Sequence, residues 1–204
     1  MSEPLAELLS LLDLEALEVN IYRGSNRNIG TGRVFGGQVF AQALVAAQRT
    51  VPAEREAHSV HGYFLRAGDL TVPIVYFVDR PRDGGSFTSR RVTAIQHGEA
   101  IFHLSASFHV SEPGLEHQMA MPDVPAPETL TPELDLIREM ADRIPEPLRT
   151  FLTQDRPIDF RPVVPYDPFV AEVRDATRHV WFRALSALPD ERIIHQAVLA
   201  YASS

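Results

Sequence analysis

Two adjacent glycines, Gly36 and Gly37, open the segment GGQVFAQALVAAQ (36–48), in which polar residues nearly vanish. Backbone N–H groups at the start of a helix, with the positive end of its dipole, suit a developing oxyanion. The same pair would equally let the chain turn into a tightly enclosed helix. Chemistry of the first kind is attack of water on a polarised carbonyl, which also needs a slot for an apolar chain. Further along, His61, Tyr63 and Leu65 alternate onto one strand face, with Val60, Gly62 and Phe64 opposite. His61 is then a catalytic candidate and Tyr63 a substrate contact; the plainer reading of His61 is a hydrogen-bonded structural residue. Arg90 and Arg91 point to opposite faces, and Arg91 is the candidate for a phosphate, the alternative being that both are simply solvated. His103 and His109 are too far apart to share a metal, and no Cys/His/Asp cluster has zinc-like spacing, so neither metal nor cofactor is expected. Ser86, Ser105 and Ser107 stand outside any G-x-S-x-G elbow, which leaves a serine triad without support.

The elements that would position these groups follow from periodicity. The segment 36–48 is apolar all round, the pattern of a helix buried on every side. It is followed by strand-like HSVHGYFLRAGD, by VPIVYFVD, and by two strands about a turn at His97-Gly98. In the last of these Phe102, Leu104, Ala106, Phe108 and Val110 alternate with polar residues, the period of a half-buried strand. Between Glu112 and Pro157, which holds half of the sixteen prolines, the chain reads as a linker. The linker carries one short helix, with Thr131 as N-cap and Pro132 at its first position. PIDFRPVVP and RHVWFRAL then read as strands, and a last helix, capped by Asp190, runs to the end. The order strand, strand, apolar helix thus occurs twice, which suggests an internal duplication. The second copy would lack a counterpart to the roughly sixty residues from Thr50 to Val110.

Composition bounds the partners. At 45% hydrophobic residues and 204 positions a substantial core is expected. The formal charge of -8 disfavours nucleic acid and anionic membrane surfaces, both of which need a positive field. There is no cysteine, hence no disulfide, thiolate metal site or cysteine nucleophile. No apolar run is long enough for membrane insertion and the N-terminus lacks a signal peptide's basic flank, so the cytoplasm is the default compartment.

An apolar helix inside a curved antiparallel sheet is the hotdog fold, an α+β architecture, and the motifs VFGGQVFAQALVAAQRTVP, HSVHGYFLRAGD, RDGGSFTSRRVTAIQHGEAIFHLSASF, EHQMAMPDVPAP and HQAVLAYAS together resemble the type II acyl-CoA thioesterases. The resemblance implies a double hotdog. It also implies hydrolysis of acyl-CoA to free acid and coenzyme A by an oriented water without a covalent intermediate, a place in fatty acid and lipid metabolism, and assembly as a homo-oligomer. Family members orient the water with an aspartate after YAS and with a hydroxyl residue and a glutamine further on. Here Ser204 follows YAS, and the later two have no counterpart in these residues. A serine hydroxyl does not ionise near neutral pH, although it can hydrogen-bond a water.

Three segments are therefore expected: an N-terminal hotdog over 1–111, a linker over 112–157 and the start of a second, incomplete hotdog over 158–204. The chain is read as cut within its second central helix, with exposed edges that favour aggregation or oligomerisation. A non-catalytic acyl-CoA-binding or interaction module is the alternative to an enzyme. Hydration or dehydration of an acyl thioester ranks below both, because the central helix offers neither the histidine nor the acid such sites use.

Overall fold

The computed structural model describes residues 1–203. In chain order it contains α1 (Glu3–Leu12), β1 (Glu15–Glu18), β2 (Ile21–Gly24), α2 (Gly36–Gln48), β3 (Arg55–Phe64), β4 (Ile74–Asp83), β5 (Phe87–Gln96) and β6 (Glu99–Val110). These are followed by α3 (Glu133–Glu139), α4 (Glu146–Thr153), β7 (Ile158–Pro162), β8 (Val180–Ala184) and α5 (Arg192–Ala202). Six strands form one antiparallel sheet in the order β1-β2-β4-β5-β6-β3, and β7 pairs with β8 separately.

Alternation sets the inner face of the large sheet. Ile74, Tyr76 and Val78 on β4, Val92 and Ala94 on β5, and Phe102, Leu104, Ala106 and Phe108 on β6 are all buried. Against this face lies α2, which touches β2 through β6. Its alanines 41, 43, 46 and 47 have no exposed surface, so the helix backbone approaches the sheet closely. Each large apolar side chain buried here contributes roughly 1.5–3 kcal/mol. His97 and Gly98 both adopt positive φ, 52° and 76°, the conformation a two-residue turn between right-twisted strands requires.

By its internal contacts the chain divides into two compact units. Among the described residues, one comprises 6–114 and 188–203, the other 1–5 and 115–187. The last helix belongs with the first sheet because of α2. A Cβ on Gly37 would lie 2.2 Å from the Tyr201 carbonyl oxygen, so the helices meet backbone to side-chain-free backbone. The Phe35 and Tyr201 rings pack edge to face at 5.1 Å, and Gln196 donates to the Ala57 carbonyl at 2.9 Å.

The second unit holds α3, α4 and the β7–β8 pair, where Asp159 accepts from Arg161 at 2.9 Å and from Arg183 at 3.3 Å. Two expected caps are corrected here and at α5. Thr131 does not cap α3: the helix starts at Glu133, and Pro132, extended at ψ 139°, holds the cap position with no side-chain bond. Asp190 does not cap α5, because Glu191 takes the cap position, again without a side-chain bond. In both, the chain stays extended one residue longer than the cap chemistry suggests. The short helix α4 was not expected; at eight residues it shows too little periodicity to stand out from a Pro-rich stretch.

Candidate functional site

The start of α2 opens on a cavity of about 340 Å³. Gly36 and Val39 come from the helix, Phe64 from the end of β3, Gly68 from the following loop, and Ile101 and Phe102 from β6. Phe35, the residue before the helix, provides no side-chain cap, so the first N–H groups have no acceptor of that kind. Two arginines, Arg33 and Arg66, also line the cavity, and both are exposed. Arg66 donates to the Ala100 carbonyl at 2.7 Å and pairs with Glu99 at 3.0 Å; Arg33 has no ion pair among the described residues. The cavity is therefore apolar where it meets the core and cationic where it meets water.

A buried polar network holds its walls. Gln38 accepts from the Arg27 N–H at 3.1 Å and donates to Ser25 and Asn26. Gln42 donates to the carbonyls of Leu11 and Ser25 and accepts from the Tyr76 hydroxyl at 2.7 Å. Gln96 donates to the carbonyls of Asp69 and Val72, as does Asn26. The loop before α2 is thus fixed to the loop after β3, and Val34 N–H closes the strap on Gly68 O at 3.0 Å. A Cβ on Gly68 would come within 2.9 Å of Val34, which is why this loop passes so near. Burial pushes the Tyr76 hydroxyl well above its ordinary pKa. Asp69 is held down at about 2, first by the Thr71 backbone N–H and hydroxyl and then by His97.

These glutamines were missed as site-forming residues. Gln38 and Gln42 stand one helical turn apart in the otherwise apolar stretch 36–47, and that spacing was the available signal. The structure brings Gly36 to the cavity and Gly37 to the helix contact with Tyr201. His61 and Tyr63 pack edge to face at 4.7 Å on the edge strand, both exposed, and neither lines the cavity. Arg91 is exposed on β5, opposite Ser105. Arg90 is not solvated: at 1% exposure it donates to Thr50 Oγ1 and O, to the carbonyls of Arg82 and Ser89, and to Asp83 at 2.6 Å. It therefore ties the β4–β5 turn to the end of α2. His103 meets Thr93 at 3.2 Å and His109 meets Glu112 at 3.0 Å, each on its own. Ser204 lies outside the described residues.

A larger cavity, about 610 Å³, lies where α2 ends and α5 begins. Its cations are already engaged, Arg49 with Asp13, Arg192 with Glu56, and Arg55 with Thr88 and the Gly85 carbonyl. That leaves less positive charge for a phosphate than the first cavity offers.

A helix enclosed by an antiparallel sheet, with a site where the helix begins, defines the hotdog class. Residues 24–109 match the family model described as the acyl-CoA thioesterase N-terminal domain. The chain is 42% identical over 203 residues to acyl-CoA thioesterase 2 of Haemophilus influenzae, covering 100% of this chain and 71% of that protein. It is 37% identical to acyl-coenzyme A thioesterase 8 of Homo sapiens, covering 95% of this chain but 63% of the relative. The crystal structure of acyl-CoA thioesterase II TesB2 from Mycobacterium marinum superposes with a TM-score of 0.73 at 42% identity, over 97% of this chain and 66% of that one. The chain belongs to the type II acyl-CoA thioesterases.

Proposed function

We propose that the protein hydrolyses acyl-CoA thioesters to the free acid and coenzyme A, and that the cavity at the start of α2 receives the thioester. The observation that carries this reading is the polarity gradient of the cavity, from Arg33 and Arg66 at its rim to Phe102 at its inner wall. A CoA thioester has the same gradient, from a phosphorylated nucleotide to an alkyl chain. The carbonyl then meets the N–H groups at Gly36, where the helix dipole favours negative charge on oxygen. Water adds to the carbonyl carbon, the C–S bond breaks, and the proton the water gives up passes to the departing sulfur. None of the described residues lining the cavity is a serine, threonine or histidine, which supports direct attack by water over an acyl-enzyme. His61, Tyr63 and Arg91 take no part in this reading.

A cytoplasmic site of action is part of the same proposal. A homo-oligomer is supported by the edge strand β3, which exposes Val60, Tyr63 and Phe64. Hydrolysis is tested by following free thiol with a chromogenic disulfide while acyl-CoAs of increasing chain length are added. The chain contains no cysteine, so all the signal comes from released coenzyme A. Thiol release saturating with substrate is the expected result; release at the uncatalysed rate with every acyl-CoA overturns the reading.

A further inference from the structure

We infer that Phe102 sets the acyl chain length the site accepts, and that Gly62 fixes where its ring can lie; this rests on reading the cavity as the acyl-CoA site. Phe102 is 1% exposed and lines the cavity from the inner face of β6. Its ring is held between two others, Phe40 of α2 at 5.9 Å and Phe64 of β3 at 4.7 Å. The tip of the ring lies over Gly62, where a Cβ would stand 2.5 Å from Phe102 Cζ. The missing side chain at 62 therefore lets the ring sit back against the sheet, leaving the cavity open.

The path of the chain follows from the helix. A carbonyl held at Gly36 sends its alkyl chain along α2 past Val39, three residues on, toward Phe40. Four residues of helix advance about 6 Å, and Phe102 stands across Phe40 at that depth. The chain terminus meets the ring there. Below this stop each added methylene finds apolar wall and strengthens binding by about fourfold. Beyond it, a methylene must displace a ring that is packed on two sides, and the gain ceases.

Two substitutions move the stop in opposite directions. Phe102→Leu removes ring volume and lengthens the slot. Gly62→Ala pushes the ring off β3 toward the cavity, where the free volume is, and shortens it. The experiment is calorimetric titration of non-hydrolysable acyl-CoA thioethers of increasing length into the wild-type chain and both variants, with thermal melts as a check of folding. The expected result is a break in the affinity series that moves to longer chains in Phe102→Leu and to shorter chains in Gly62→Ala, with the shortest acyl groups bound within about twofold of wild type. If Phe102→Leu fails to fold, Phe102→Met takes its place. A break that stays put in the variants, or equal weakening at every length, overturns the role of Phe102 while leaving the cavity as the site. Failure of the wild-type chain to bind any acyl-CoA thioether sinks the reading of the cavity and this inference with it.

Discussion

Gly37 and Tyr201 touch through backbone. A Cβ on Gly37 would sit 2.2 Å from the Tyr201 carbonyl oxygen, a separation that real side chains do not tolerate. The glycine that the sequence offered as an oxyanion group or as a packing residue is used for packing, and its neighbour Gly36 faces the cavity. Gly37→Ala must part α2 from α5 or distort one of them. The expected loss is about 1–3 kcal/mol or more in urea unfolding, as for other overpacked contacts. A midpoint within error of wild type would show that the helices are not in contact as described.

Arg90 is a fully buried guanidinium whose partners are the end of α2 and the β4–β5 turn. Replacing it by Met leaves the Thr50 and Arg82 carbonyls without these donors, and is expected to cost about 1–3 kcal/mol in chemical denaturation for each carbonyl left unpaired. Asp83→Asn should cost less than that, because the amide oxygen can still accept from the guanidinium and the Thr50, Arg82 and Ser89 carbonyls still accept from it. Equal effects of the two substitutions would mean that the ion pair, rather than the carbonyl contacts, holds the turn.

Much of this was legible and some was not, for reasons that lie in particular residues. The alternation of Phe102 through Phe108 and the turn at His97-Gly98 specify a hairpin locally, and the hairpin is there. The largely apolar segment 36–48 specifies a buried helix just as directly. Arg90 did not reveal itself, since its burial depends on acceptors forty residues back at Thr50. Likewise the glutamine network depends on loop carbonyls that no periodicity reports. The placement of α5 against α2 depends on contacts such as Gly37 with Tyr201, between positions more than a hundred and sixty residues apart.

Gln42 and Tyr76 should behave as one unit. Gln42→Leu strands the Tyr76 hydroxyl and the Leu11 carbonyl and is expected to cost about 1–3 kcal/mol for each buried group left unpaired. Tyr76→Phe alone should cost about 1 kcal/mol. A double-mutant cycle by denaturation should give a coupling energy of about 0.5–3 kcal/mol. Strict additivity would contradict the bond between them.

Acid stability has an expected shape. The folded state holds Asp69 at about 2, mainly through Thr71, and lowers Asp83 chiefly through Arg90. Both are depressed relative to the unfolded chain, so their contribution is fully present above about pH 4–5 and is lost as the pH falls through the folded values. Melting temperature against pH should therefore fall below pH 4, and Asp69→Asn should flatten the part of the fall between about 4 and about 2. An unchanged slope in that variant would remove Asp69 from the explanation.

The occupation of the cavity can be read directly by hydrogen exchange and mass spectrometry, with and without a non-hydrolysable acyl-CoA thioether. Binding as described slows exchange in peptides spanning 33–40, 64–68 and 100–103, and leaves the loop 163–179 unaffected. Protection confined to the loop 163–179 or to the end of α2 near Arg49, with none at 33–40, would contradict the assignment of the site.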